Sequence, residues 1–129
     1  MEPNVEILFA ENSTDRRGNP GPVPVFWNWL ESGIKCDTLR PVFEMIILKE
    51  REALEVCEIV WSICNSSPGE MHCAQQYLPE VTAYREAGNR SLSVGDVIRL
   101  NENYYMVDNT GFQVIGPETV NRRRVEIAA

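Results

Sequence analysis

The strongest constraint on this chain is the regular beat of its C-terminal third. Across residues 90–115, short apolar runs alternate with turn-forming residues: RSLSVGDVIRL, NEN, YYMVD, NTG, FQVI. Runs of four or five residues rich in Val, Ile, Tyr and Phe are too short for helices. Gly95-Asp96, residues 101–103 and residues 109–111 supply the residue types that reverse a strand. The pattern predicts three short antiparallel strands, a β-meander. Such a sheet has an apolar face that another element must cover.

Residues 49–65 (KEREALEVCEIVWSICN) supply the cover. Glu52, Glu55, Glu58, Ser62 and Asn65 track one side of a helix, and Ala53, Cys57, Val60 and Cys64 track the other. Pro68 and Gly69 in SSPG end it. Upstream, residues 5–10 (VEILFA) read as a buried strand. In residues 42–48 (VFEMIIL) both alternating sets are almost wholly apolar, so a central strand covered on both faces is predicted. Between these, residues 11–24 (ENSTDRRGNPGPVP) read as a surface loop, because proline removes ladder donors. Phe26, Trp27, Leu30 and Ile34 then recur at helical spacing, with Gly33 as a stop. Trp27 and Trp29, about 200° apart on a helix, cannot share one narrow face. Residues 70–89 are expected to be irregular, with a helical turn or two interrupted by Pro79, and the tail after Ile115, of weak helical periodicity, is expected to fray. The expectation is one α+β domain over residues 1–129. Its small mixed, mostly antiparallel sheet carries one main helix packed on a face and the C-terminal three-stranded β-meander, in the order β-α-β-α-β-β-β.

Charge narrows the function. With 19 acidic and 12 basic residues among 129, the chain carries a formal charge of −7. Nucleic-acid binding relies on Lys and Arg displacing condensed counterions, so nucleic acid is disfavoured as a partner. The exceptions are local: Arg16 with Arg17, and Arg122, Arg123 and Arg124. The apolar stretch at residues 45–48 is far shorter than the roughly 20 residues of a membrane span, so no membrane partner is expected. The first residues, MEPNVEILFAEN, place carboxylates before the apolar run, the wrong order for a secretory signal. A cytoplasmic setting follows as the expectation, with Cys36, Cys57, Cys64 and Cys73 as free thiols.

The single histidine, His72, adjoins Cys73, but adjacency in sequence does not set the geometry a nucleophile and its base require. Cys64, His72 and Cys73 lack the paired spacing of a zinc site. The glutamates of the main helix read as its solvated face, and Gly18 to Gly21 lacks the Lys-Ser/Thr of a phosphate loop. No catalytic residue, metal or cofactor is expected. Phe26, Trp27 and Trp29, following the Gly/Pro stretch, are either core residues or a partner-binding edge.

Ser91-Leu92-Ser93-Val94-Gly95-Asp96-Val97, then Tyr105-x-Val107-Asp108, then Gly111-Phe112 resemble the C-terminal motif of YodL-like domains. These occur in small and antirestriction-type proteins of plasmids, phages and other mobile elements. The strand and acidic helix before the motif are similar in order, so the resemblance extends over residues 42–115. It implies a non-enzymatic accessory protein of a mobile element that binds a host or element-encoded protein and inhibits a restriction-type host defence component. The motif also invites a binding site at a rim formed by Asp96, Tyr105, Asp108 and Asn109, although turns and strand pairing account for the same residues. Two alternatives stay open. One is a small RNA- or DNA-binding β-module using Arg122, Arg123 and Arg124. The other is a thiol or metal enzyme centred on His72 and Cys73.

Overall fold

Val5 through Ala10 are all buried, which makes their strand the axis of the molecule. The structure, a computed structural model, describes residues 2–14, 17–24, 38–47 and 52–123. Three strands come first: β1 (Val5–Thr14), β2 (Pro20–Pro24) and β3 (Thr38–Met45). Two helices follow, α1 (Ala53–Cys64) and α2 (Leu78–Glu86), the second entered through a 3₁₀ turn at Gln75–Tyr77. The meander is β4 (Val97–Leu100), β5 (Asn103–Val107) and β6 (Phe112–Ile115), and a short helix, α3 (Pro117–Arg123), closes the order.

The six strands of the described residues form one antiparallel sheet in the order β2-β1-β4-β5-β6, with β3 also paired to β1. Strand β1 is flanked by β3 along one side from Val5 to Glu11. Along the other it pairs with β4 through Val5 to Leu8 and with β2 from Glu11 onward. Alternation then sorts the side chains. Val5, Ile7, Phe9, Ile98, Leu100 and Tyr105 face α1 and α2, which contribute Val56, Cys57, Val60, Ile63, Cys64, Val81 and Tyr84. Leu8, Ala10, Leu39 and Val97 face the other way, where Val120 of α3 is fully buried against them.

The α+β class, the main helix on one face and the C-terminal three-stranded run are therefore as the sequence predicts. Four local expectations are corrected. Residues 11–24 are not an open loop: β1 continues to Thr14 and β2 pairs back onto it. Pro20, Pro22 and Pro24 are tolerated because β2 is a terminal strand, where alternating prolines leave their missing donors on one edge. The predicted central strand, β3, pairs only with β1 among the described residues, and Val42 and Phe43 are only partly covered. Pro79 opens α2 instead of interrupting it, since the first helical turn needs no donor from that residue. The tail forms α3, anchored by Val120. The helix predicted at residues 26–34, Trp27, Trp29, Cys36, Arg16 and Arg124 lie outside the described residues.

Candidate binding cleft

The C-terminal motif splits into two halves with opposite physical character. Asp96 stands at the first. Only 1% exposed, it lies where β1 changes partner from β4 to β2, and its carboxylate fills the gap in the ladder. Oδ1 accepts from the Ala10 amide at 2.8 Å and from Arg90 Nη2 at 3.0 Å; Oδ2 accepts from Arg90 Nη1 at 2.7 Å and from the Ser93 amide at 2.9 Å. The Arg90 guanidinium also lies 3.9 Å over the Phe9 ring, and the Arg90 carbonyl accepts the Tyr84 hydroxyl at 2.5 Å. Burial pushes the Asp96 carboxyl upward from its ordinary pKa, opposed by Arg90 and the two amides. Tyr105, of the same motif, is buried beneath the helices. Neither Asp96 nor Tyr105 lines a cleft among those described.

The second half is open. Asp108, Asn109, Gly111 and Phe112 turn β5 into β6, with Gly111 at φ +81°, a left-handed conformation that favours glycine. Together with Val107 they face Glu58, Trp61 and Ser62 of α1 across a cleft of about 400 Å³. That volume is at the small end for ligand sites. Asp108 and Asn109 are thus brought together at this cleft, apart from Asp96 and Tyr105. The Asn109 amide donates to Asp108 Oδ1 at 2.7 Å.

Trp61 is the residue that sequence reasoning passed over. At 41% exposed it projects from α1 beside the buried arc, on a stripe with Leu54 and Glu58 at spacings of four and three. A tryptophan on the solvent side of an otherwise acidic helix face was the available signal. The C-terminal end of α1 is fixed firmly behind it. Asn65 Nδ2 donates to the Trp61 carbonyl at 2.8 Å, Ser66 Oγ to the Ser62 carbonyl at 2.7 Å, and Arg85 Nη2 to the Cys64 carbonyl at 3.0 Å. These bonds satisfy carbonyls that a helix end leaves without partners. Arg85 also reaches the Ser91 hydroxyl at 2.8 Å and the Asn89 carbonyl at 3.2 Å, tying α1 to the start of the motif.

The groups considered for catalysis are placed otherwise. His72 Nε2 lies 3.8 Å from Glu70 Oε1, on the surface, while the Cys73 thiol lies 3.8 Å from Ser66 Oγ. Cys73 also borders a broader cleft of about 660 Å³ on the other flank of α1, with Glu55, Ile59, Gln76 and Tyr77. His72 does not line it. Among the described residues no three His, Cys, Asp or Glu side chains gather as a metal site, and no helix is long and apolar enough to cross a membrane. Cys57, Cys64 and Cys73 are free thiols. Arg122 and Arg123 occupy the exposed last turn of α3, where cations complement the helix dipole.

No family model matches the chain, and neither the curated proteins nor the solved structures contain a significant match to it.

Proposed function

We propose that this protein is non-enzymatic and acts by binding another protein at the cleft between α1 and the β5–β6 turn. In the setting implied by the YodL-like resemblance, it is an accessory protein of a mobile element, and the partner is a host protein such as a restriction-type defence component. The observation that carries the binding reading is Trp61, held open beside Phe112 with Glu58 and Asp108 at the rim. Large aromatic side chains contribute contact area with few rotamers to freeze, and they dominate binding hot spots. An acidic surface suits a partner whose own site is built for an anion.

Photo-crosslinking in cells tests this directly. A photoreactive amino acid at position 109, in the cleft, is compared with one at position 102, in the turn at the opposite end of β5. A specific protein adduct from 109, absent from 102 and lost when Trp61→Ala is added, supports the reading. No adduct, or the same adduct from both positions, overturns it.

A further inference from the structure

The outer edge of β6 adds a second recognition element to the cleft. The Asp108 amide donates to the Gly111 carbonyl at 2.9 Å, whereas Val107 exchanges bonds toward β4, accepting from the Gly95 amide at 2.9 Å and donating to the Asp96 carbonyl at 2.8 Å. The alternation of an antiparallel pair then makes Val107/Phe112 and Tyr105/Val114 the non-hydrogen-bonded pairs. The N–H and C=O groups of Phe112 and Val114 consequently point away from β5. Strand β6 ends the sheet path and pairs only with β5 among the described residues. Its edge therefore presents two donors and two acceptors to an incoming chain.

The side chains of those same two residues face α1. Phe112 packs against the core beneath the helices, and Val114, opposite Tyr105, is 69% exposed where the helical layer stops short of the sheet edge. A strand added to β6 sets one side chain opposite Phe112, directed into the cleft with Trp61, and another opposite Val114. The cleft selects charge. Glu58 and Asp108 line it, and among the described residues no Lys, Arg or His does. Asp108 Oδ1 accepts the Asn109 amide, and Oδ2 takes no hydrogen bond among the described residues. A cation seated there meets two carboxylates and aromatic rings, whose faces attract positive charge.

We propose, resting on the protein-binding reading above, that β6 accepts an extended segment of the partner as a further antiparallel strand. An aliphatic side chain of that segment covers Val114, and a Lys or Arg two residues later enters the cleft between Trp61 and Phe112, against Glu58 and Asp108. This is β-strand addition, in which the backbone supplies affinity and alternate side chains supply specificity. A second copy of the chain fits poorly. Its own β6, FQVI, carries no cation, and pairing two copies brings both carboxylate pairs together.

Amide hydrogen exchange on the full chain separates these occupants. The probe is a capped peptide of alternating Val and Thr with one central Lys in the Val register. Its controls carry Glu in place of Lys, or N-methyl groups on the nitrogens that would face β6. The Lys peptide is expected to slow exchange at Phe112 and Val114 by about tenfold or more, and the controls to leave it unchanged. Trp61→Ala is expected to weaken the Lys peptide by about tenfold, and Val114→Pro, which removes an outward donor without breaking a bond to β5, to abolish its binding. Equal protection by the Lys and Glu peptides overturns the proposal. So does Lys-peptide binding that leaves both amides unprotected, or protection that grows with protein concentration alone, which would mark a second copy as the occupant. A chain that crosslinks to a protein through position 109 but gains no such protection keeps the protein-binding reading and loses this one; a chain that does neither loses both.

Discussion

Asp96 and Asp108 belong to one short motif, yet one is sealed in the β1–β4 seam and the other rims an open cleft. At Asp96 both carboxylate oxygens take two donors each, and its cation is held against an aromatic ring. At Asp108 one oxygen takes a neighbouring amide, and the surrounding Glu58 carboxylate, Trp61 indole and outward β6 backbone make no hydrogen bond or ion pair among the described residues. Buried polar groups must be satisfied internally or they cost stability, whereas exposed ones can wait for a ligand. Saturation marks the first region as architecture, and its lack leaves the second open to solvent, where the proposed partner would bind.

Breaking the sealed region should give the largest effect. Asp96→Ala leaves the Arg90 charge without its partner and the Ala10 and Ser93 amides without acceptors in a closed site. Loss of one member of a buried pair costs about 3–5 kcal/mol. Urea unfolding should show it as a lower midpoint with little change in slope. Asp96→Asn, which keeps acceptor capacity but not charge, should fall between. A loss below about 1 kcal/mol for Asp96→Ala would mean the seam is held by packing alone.

A smaller, local effect is expected at Gly21 in β2. A Cβ there would lie 2.6 Å from the Asn12 carbonyl oxygen and 2.7 Å from the Val23 nitrogen, both backbone atoms that cannot rotate aside. Gly21→Ala should cost about 1–3 kcal/mol. Faster amide exchange should be confined to residues 11–14 and 20–24, leaving the meander as it was; uniform loss of protection would contradict the peripheral place of β2.

The thiols beneath α1 give a pH-dependent version of the comparison. Burial, with a smaller push from Glu58, holds the Cys57 thiol up to about 12 against an ordinary 9.0, and burial pushes Cys64 up as well. The folded chain keeps protons that the unfolded chain releases. Stability from this source is complete below pH 9 and is lost as pH rises toward 12. Denaturation midpoints should decline over that window, and the decline should lessen in Cys57→Ala. Under native conditions iodoacetamide should modify Cys73, which is only partly buried, well before Cys57 or Cys64. Early labelling of Cys57 would show that α1 opens readily.

Periodicity made the sheet and its main helix legible, because the α1 stripe and the meander each bury one side at a single repeat, and Val5 to Ala10 form an apolar run buried on both. What escaped depends on contacts distant in sequence. That β2 tolerates three prolines follows from its place at the end of the sheet, which its composition does not state. That Asp96 is sealed follows from Ala10, 86 residues away. The candidate rim of four residues was divided by depth, because a turn and a strand in one motif can lie at different distances from solvent. Trp61 was hidden by the main helix pattern, which separates a buried arc from an acidic one and leaves a single aromatic at their border unassigned.

The smallest expected change in stability is also the most discriminating. Trp61 is partly exposed, and the end of α1 is held by Asn65, Ser66 and Arg85 without help from the indole. Trp61→Ala should therefore lower the unfolding free energy by no more than about 1 kcal/mol, while removing the adduct formed through position 109. Asp96→Asn should do the reverse: at a temperature where it remains folded, crosslinking through the cleft should persist despite lower stability. If Trp61→Ala unfolds the protein as readily as Asp96→Ala, the indole is a core residue and the contrast between the two aspartates has no functional meaning. If the two variants separate, one losing stability and the other its partner, a single motif serves two purposes through depth alone: its first half closes the sheet and its second half is left open for recognition.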